Sequence, residues 1–190
     1  MRIGVVAVQG AFLEHEKMLK ELGADCVEIR QKKDLEGIDG FIFPGGESTV
    51  QGKLLKELDL FDPIQKAIFN GMPVLATCAG LILLAEHLEQ DSTTHLQTLP
   101  VTVKRNGYGR QLGSFKAYGT VDDMKNVPLV FIRAPYITEV KKGVKILSYY
   151  ENRIVAVQYK NQIGLSFHPE MTKDTRIHEA FLKLVKSGKN

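Results

Sequence analysis

The apolar positions of this chain alternate between two periods in its first half and settle into one in most of the second. Ile3 to Val8 is an unbroken apolar run of the kind a buried strand shows, and Gln9-Gly10 ends it. Ala11, His15, Met18 and Leu22 then fall on one face of a helix that stops at Gly23. Cys26, Val27 and Ile29 predict a second strand, and Phe41-Ile42-Phe43 a third, closed by Pro44-Gly45-Gly46. Leu54, Leu55 and Leu58 mark the apolar side of a further helix. Asp62-Pro63 opens another, with Asp as N-cap and Pro in the first turn, ending near Gly71. Pro73 to Thr77 is again apolar or β-prone. It runs into Cys78, the small pair Ala79-Gly80, and then Leu81, Leu83, Leu84 and Leu88 at helical spacing. A buried strand turning directly into a helix gives this pattern, with the cysteine on the turn.

After Leu88 the character changes. Glu89 to Thr98 is polar and reads as a loop, and strands dominate from Val101 to Phe167: Val101–Val103, Phe115–Val121, Val130–Ile132, Ile146–Tyr150, Ile154–Gln158 and Ile163–Phe167. Asn106-Gly107 and Glu151-Asn152 fit hairpin connections. Thr175 to Val185 is an amphipathic helix carrying Ile177, Phe181, Leu182 and Val185. Strands alternating with helices predict an α/β doubly wound sheet, whose ligand sites lie at the carboxyl ends of the strands. No linker separates the halves, so residues 1–190 are expected to form one domain with the second half extending the sheet.

Composition adds mainly exclusions. A hydrophobic fraction of 44% and a charged fraction of 25% are those of an ordinary soluble protein. The net charge of +3 is spread out, and Lys32-Lys33 and Lys141-Lys142 are isolated pairs, which argues against a nucleic-acid track. No apolar run approaches the roughly 20 residues of a membrane span. Met1-Arg2 leads straight into a strand without a signal-peptide layout, so a cytoplasmic protein is expected. Two cysteines make no disulfide framework, and neither a Walker-type phosphate loop nor any need for a metal or cofactor is evident.

Three loops that follow apolar strands carry candidate chemistry. In Pro44-Gly45-Gly46-Glu47-Ser48, adjacent glycines let backbone N–H groups turn toward a neighbouring oxygen; a tight turn with no other role would look the same. Cys78 sits where the first N–H groups of a helix and its dipole favour a thiolate, although a small buried cysteine fits that position equally well. His168-Pro169-Glu170 breaks the tie. Proline holds its predecessor extended, so side chains at i and i+2 project together, and the carboxylate can orient the imidazole. Thiol, imidazole and carboxylate make the nucleophile, base and orienter of covalent acyl transfer.

Residues 44–48, 76–80 and 168–170 resemble the signature of triad-type (class I) glutamine amidotransferases. The fuller set resembles the glutaminase subunit of pyridoxal 5′-phosphate synthase: Gln9-Gly10-Ala11 with Glu14-His15, residues 44–49, Thr77-Cys78-Ala79-Gly80, Arg105-Asn106, Gly109-Arg110-Gln111, Phe131 to Pro135, and His168-Pro169-Glu170. Ala76, Val50 and Tyr136 stand where that family usually has glycine, threonine and histidine. The resemblance implies a flavodoxin-like mixed sheet with helices on both faces. It implies Cys78 as nucleophile, His168 as base, Glu170 as orienter, and the N–H groups of Gly46 and Ala79 as oxyanion hole. Glutamine contacts are implied at Gly46, Glu47, Ser48, Arg105, Ile132 and Arg133, and a guanidinium such as Arg105 suits an α-carboxylate. L-glutamine would be hydrolysed through a thioester, and the ammonia handed to a (β/α)8-barrel synthase partner. A glutaminase subunit for another acceptor, such as imidazole glycerol phosphate synthase, and a non-enzymatic flavodoxin-like stress protein remain as alternatives; the latter needs no C-terminal His–Glu pair.

Overall fold

The computed structural model describes residues 1–107 and 113–188. Gly109-Arg110-Gln111 of the motif set above therefore lies outside the described residues. Five strands form a parallel half-sheet: β1 (Arg2–Val6), β2 (Asp25–Ile29), β3 (Gly40–Phe43), β4 (Val74–Thr77) and β12 (Gln162–Leu165), in the order β2-β1-β3-β4-β12. The sheet continues through β11 (Arg153–Tyr159), β9 (Tyr136–Val140), β6 (Leu99–Lys104) and β5 (Ala85–Leu88), with β10 (Lys145–Tyr150) paired to β11. Beyond β12 the pairing is antiparallel except for the β5/β6 edge, which is parallel. A separate antiparallel ribbon joins β7 (Ser114–Val121) to β8 (Met124–Ile132).

Alternation along the strands builds two cores. In β1, Ile3 and Val5 face one side and Val6 the other. On one face pack α2 (Ser48–Glu57), α3 (Phe61–Phe69) and α4 (Ala79–Leu84), contributing Leu55, Ile64, Ile68 and Leu81. On the other pack α1 (Phe12–Glu21), α5 (Arg176–Ser187) and the ribbon, with Leu19, Phe181, Leu129 and Phe131. Parallel strands with both faces covered are buried throughout, as the all-buried β3, β4 and β12 show. No described helix is long and apolar enough to cross a membrane.

Several sequence expectations need correction. The helix after Cys78 ends at Leu84, and Ala85–Leu88 is a strand paired with β6 rather than further helix. All six residues of α4 are buried, so its leucines answer to neighbours on every side and helical periodicity extrapolated through Leu88 by coincidence. α3 begins at Phe61, not Asp62, because fully buried Leu60 takes the N-cap position; Pro63 still falls in the first turn, where a missing N–H costs nothing. The strand Tyr136–Val140 was not anticipated: it is short, half-buried and carries Thr138 and Glu139. β8 begins at Met124 rather than Val130: Met124 to Asn126 are exposed or only part-buried, and the buried Val127 and Leu129 flank Pro128, which reads as a strand break.

Candidate active site

The loops after β3, β4 and β12, neighbours in the sheet, meet at its carboxyl edge, joined by the Gln9–Ala11 loop after β1. They line a cleft of about 600 Å³ together with Glu14, Ile82, Arg105, Asn106, Ile132, Arg133 and Met171. Every sequence-predicted site residue borders this cleft except Glu170, which lies behind His168 with its side chain fully buried.

Cys78 occupies the turn between β4 and α4 at φ 49°, ψ −101°, a conformation L-residues rarely hold without support. Its N–H donates to the Leu165 carbonyl of β12 at 2.8 Å, tying the turn to the next strand. Gly80 allows the turn to pack: a Cβ there would lie 2.3 Å from the Phe43 carbonyl oxygen. Ala76 sits within regular β3/β4/β12 pairing, before the strained residue, so its methyl group is accommodated. The thiol donates to the Ile132 carbonyl at 3.8 Å. Arg133, the next residue, has φ 43° and is held by its N–H on the Gly113 carbonyl, so backbone geometry is what this corner brings to the cleft.

His168 and Glu170 do project together, with Nδ1 to Oε1 2.7 Å. The cause differs from the extended segment expected: Pro169–Met171 forms a 3-10 turn, closed by the Met171 and Thr172 N–H groups on the carbonyls of His168 and Pro169. His168 Nε2 is buried, has no hydrogen-bond partner among the described residues, and is the nitrogen left for the sulfur. Burial alone would lower the imidazole, but the neighbouring Cys78 sulfur and the Glu170 carboxylate push it up to about 10. Burial likewise works to raise Glu170, yet His15 and His168 hold it below the usual carboxylate range.

The glycine loop is fixed from two sides. Gly45 C=O accepts from Ala11 N–H at 3.0 Å, and Glu47 N–H donates to Gln9 Oε1 at 2.8 Å. Because a trans peptide points its C=O and N–H in opposite directions, the Gly46 N–H faces away from Ala11. Ala79 N–H is the first of α4 and has no intrahelical acceptor. Glu47 caps α2, its carboxylate accepting from Thr49 and Val50 N–H at 3.1 and 2.8 Å. Desolvation would raise that carboxyl, but these bonds, with Arg105 adding, keep it below its ordinary value. Ser48 is buried at the helix start. Arg105 Nη1 donates to Thr49 Oγ1 at 3.2 Å, its Nε lies 3.6 Å from Asp91, and its Nη2 has no partner among the described residues.

The model of the SNO glutamine amidotransferase family matches residues 5–187. The chain belongs to that family. It is 59% identical over 191 residues to the pyridoxal 5′-phosphate synthase subunit PdxT of Desulfitobacterium hafniense (strain Y51), covering 100% of this chain and 96% of that protein. It is 51% identical over 186 residues to the PdxT of Methanocorpusculum labreanum, covering 97% of this chain and 98% of that one. A crystal structure of a glutamine amidotransferase superposes with a TM-score of 0.93 at 39% identity, over 97% of this chain and 98% of that one. PurLQS from Thermotoga maritima, at 15% identity and a TM-score of 0.71 over 96% and 97% of the two chains, shares the fold.

Two further histidines lie behind the site. His15 belongs both to the Glu14-His15 pair of the motif set, which gives it no role, and to the apolar face of α1, and His178 lies within the amphipathic C-terminal helix; both are fully buried, His15 beside Glu170 and His178 beside His15. A histidine on an apolar stripe gives no sign of what it meets across the core.

Proposed function

We propose that Cys78, His168 and Glu170 carry out the glutaminase reaction of this family, with Gly46 and Ala79 N–H groups as the oxyanion hole. The chain is a glutaminase subunit that supplies ammonia for pyridoxal 5′-phosphate synthesis. One observation supports the residue assignment above all: a cysteine on a strained strand-to-helix turn, beside an imidazole whose other nitrogen is bonded to a buried carboxylate.

His168 Nε2 takes the thiol proton as Sγ attacks the glutamine side-chain amide, and the oxyanion forms between the two N–H donors. The Glu170 carboxylate beside the ring keeps that proton on it until the departing ammonia takes it. Glu170 answers the positive charge of the imidazolium and fixes Nδ1–H toward itself. Water then attacks the γ-glutamyl thioester, releasing glutamate and the thiol. Arg105 receives the α-carboxylate, a reading supported by its Nη2 having no partner among the described residues, while Ser48, Ile132 and Arg133 offer backbone or hydroxyl contacts along the cleft. Glu47 is committed to capping α2 and contributes through its backbone. The ammonia goes to a (β/α)8-barrel synthase subunit bound over the cleft, since ammonia released to water would be protonated and lost.

The test is glutamate release from L-glutamine by the chain with saturating synthase subunit, alongside mass spectrometry of the acid-quenched enzyme. Expected are a γ-glutamyl adduct on Cys78 and no turnover by Cys78→Ala. Substantial turnover by purified Cys78→Ala overturns the assignment.

A further inference from the structure

Behind Glu170 runs a buried chain of polar groups that the three-residue reaction leaves unused. His15 on α1 and His178 on α5 have no exposed surface, and His15 Nδ1 lies 2.9 Å from His178 Nε2. The other nitrogen of His15, Nε2, lies 3.4 Å from Glu170 Oε2 and 3.3 Å from the hydroxyl of Thr77, the residue before the nucleophile. Glu170 Oε1 is bonded to His168, whereas Oε2 has no hydrogen-bond partner among the described residues and faces His15 Nε2 across 3.4 Å. A deeply buried carboxylate is held ionised by the donors and positive charge around it. His15 is the group positioned to donate to Oε2.

The proton directions follow from the partners. His178 Nδ1 is buried and has no partner among the described residues, so a proton there would be an orphaned donor; the His178 proton therefore sits on Nε2 and points at His15 Nδ1. That leaves the His15 proton on Nε2, facing Glu170 and Thr77. Burial keeps both rings neutral: it lowers His15 against the pull of Glu170 and Glu14 and with the push of His168, and it takes His178 down to about 3. Every N–H in the series thus points toward Glu170, from His178 and His15 on one side and from His168 on the other.

We propose that His15 is a positioning residue for glutamine hydrolysis: its Nε2–H holds the second oxygen of Glu170, with His178 fixing its tautomer. Glu170 thereby stays ionised and keeps its first oxygen aimed at His168. This rests on the reaction assigned above. The histidine pair does not touch substrate; it acts when His168 takes the thiol proton and a buried imidazolium needs a full negative charge beside it. Without the donor from His15, burial drives Glu170 toward its neutral form, so the carboxyl protonates at a higher pH.

The experiment compares wild type, His15→Leu and His15→Gln as full chains with saturating synthase subunit, following glutamate release across the acid and neutral range. His15→Leu is expected to lose roughly ten-fold or more in kcat, the scale at which partners of reactive groups commonly act. KM should change little, and the acid limb of kcat should move to higher pH. His15→Gln, whose amide N–H reaches toward the same oxygen, should restore most of the rate and return the acid limb toward wild type. A His15→Leu chain with wild-type kcat and acid limb overturns the proposal, as do Leu and Gln variants equally impaired with wild-type pH profiles. An active wild type and an inactive Cys78→Ala are the reference, so either outcome would leave the reaction assignment standing. Nitrogen-15 NMR of the unmodified chain gives a reading independent of folding in the variants. Neutral Nε2–H tautomers at both His15 and His178 support the relay, and an Nδ1–H tautomer at His15 overturns it.

Discussion

Gly45→Ala should disable the site through one methyl group. A Cβ on Gly45 would lie 2.3 Å from His168 Cε1 and 2.9 Å from Nδ1. Restoring an ordinary separation of about 3.5 Å requires a displacement of roughly 1 Å. The loop cannot supply it cheaply, because Gly45 C=O is bonded to Ala11 N–H and Pro44 C=O to the Gln51 amide. The imidazole therefore moves, away from Cys78 or off Glu170. A misplacement of about 1 Å in a catalytic group costs about 10² in rate, so kcat should fall about 100-fold with a smaller change in KM. Overpacking should also lower stability by about 1–3 kcal/mol. Gly45 does not hold a positive φ, so alanine meets no backbone penalty that would confuse the result. Gly188→Ala, whose Cβ meets nothing closer than 3.7 Å, is the control. The assay is steady-state glutamate release with saturating synthase subunit, beside thermal unfolding. A folded Gly45→Ala chain with wild-type kcat refutes the steric reasoning.

Cys26→Ala should retain full glutaminase activity, since Cys26 lies in β2 away from the cleft, where burial raises its thiol to about 11; a folded but inactive variant would mean the wrong cysteine has been assigned. Glu170→Gln should slow turnover less than His168→Ala, because the carboxylate orients while the histidine moves the proton, and equal or reversed losses would contradict these roles. The subunit alone should be a weak glutaminase that gains rate when titrated with synthase, because turning the Gly45–Gly46 peptide breaks only the Ala11 N–H to Gly45 C=O bond and withdraws one oxyanion donor, a loss of about 10²–10³; equal rates for the free and saturated subunit would exclude such gating. Folding stability should fall as pH drops from 6.5 toward 3. Over that interval the unfolded chain protonates His178 and the folded chain, with its value near 3, does not. The slope from one such proton is at most about 1.4 kcal/mol per pH unit, and acid unfolding of His178→Leu should be correspondingly less steep.

Much of the sheet was legible because its strands are buried on both sides and read as apolar runs. The cleft was legible because each of its main loops directly follows such a run. Elsewhere the physics is ambiguous along the chain. Ala85–Leu88 continues a run of leucines and becomes strand only because β6 offers it an edge. Tyr136–Val140 mixes polar and apolar positions too evenly to stand out before pairing with β6 and β11. His15 and His178 lie 163 residues apart, and no local pattern announces that they meet. Glu47 has a role that its place in the motif does not show: its carboxylate caps α2.

The pairing of β12 beside β4 has a consequence for how the molecule is made. Val74 lies against Gln162 and Thr77 against Leu165, so the middle of the sheet closes only when a strand far along the chain from β4 arrives. Until then β2, β1, β3 and β4 can assemble, but β4 presents an unpaired apolar edge and Cys78 lacks both its anchor on Leu165 and its histidine. Exposed strand edges of this kind invite misassociation, which makes the nascent first half a natural client for chaperones.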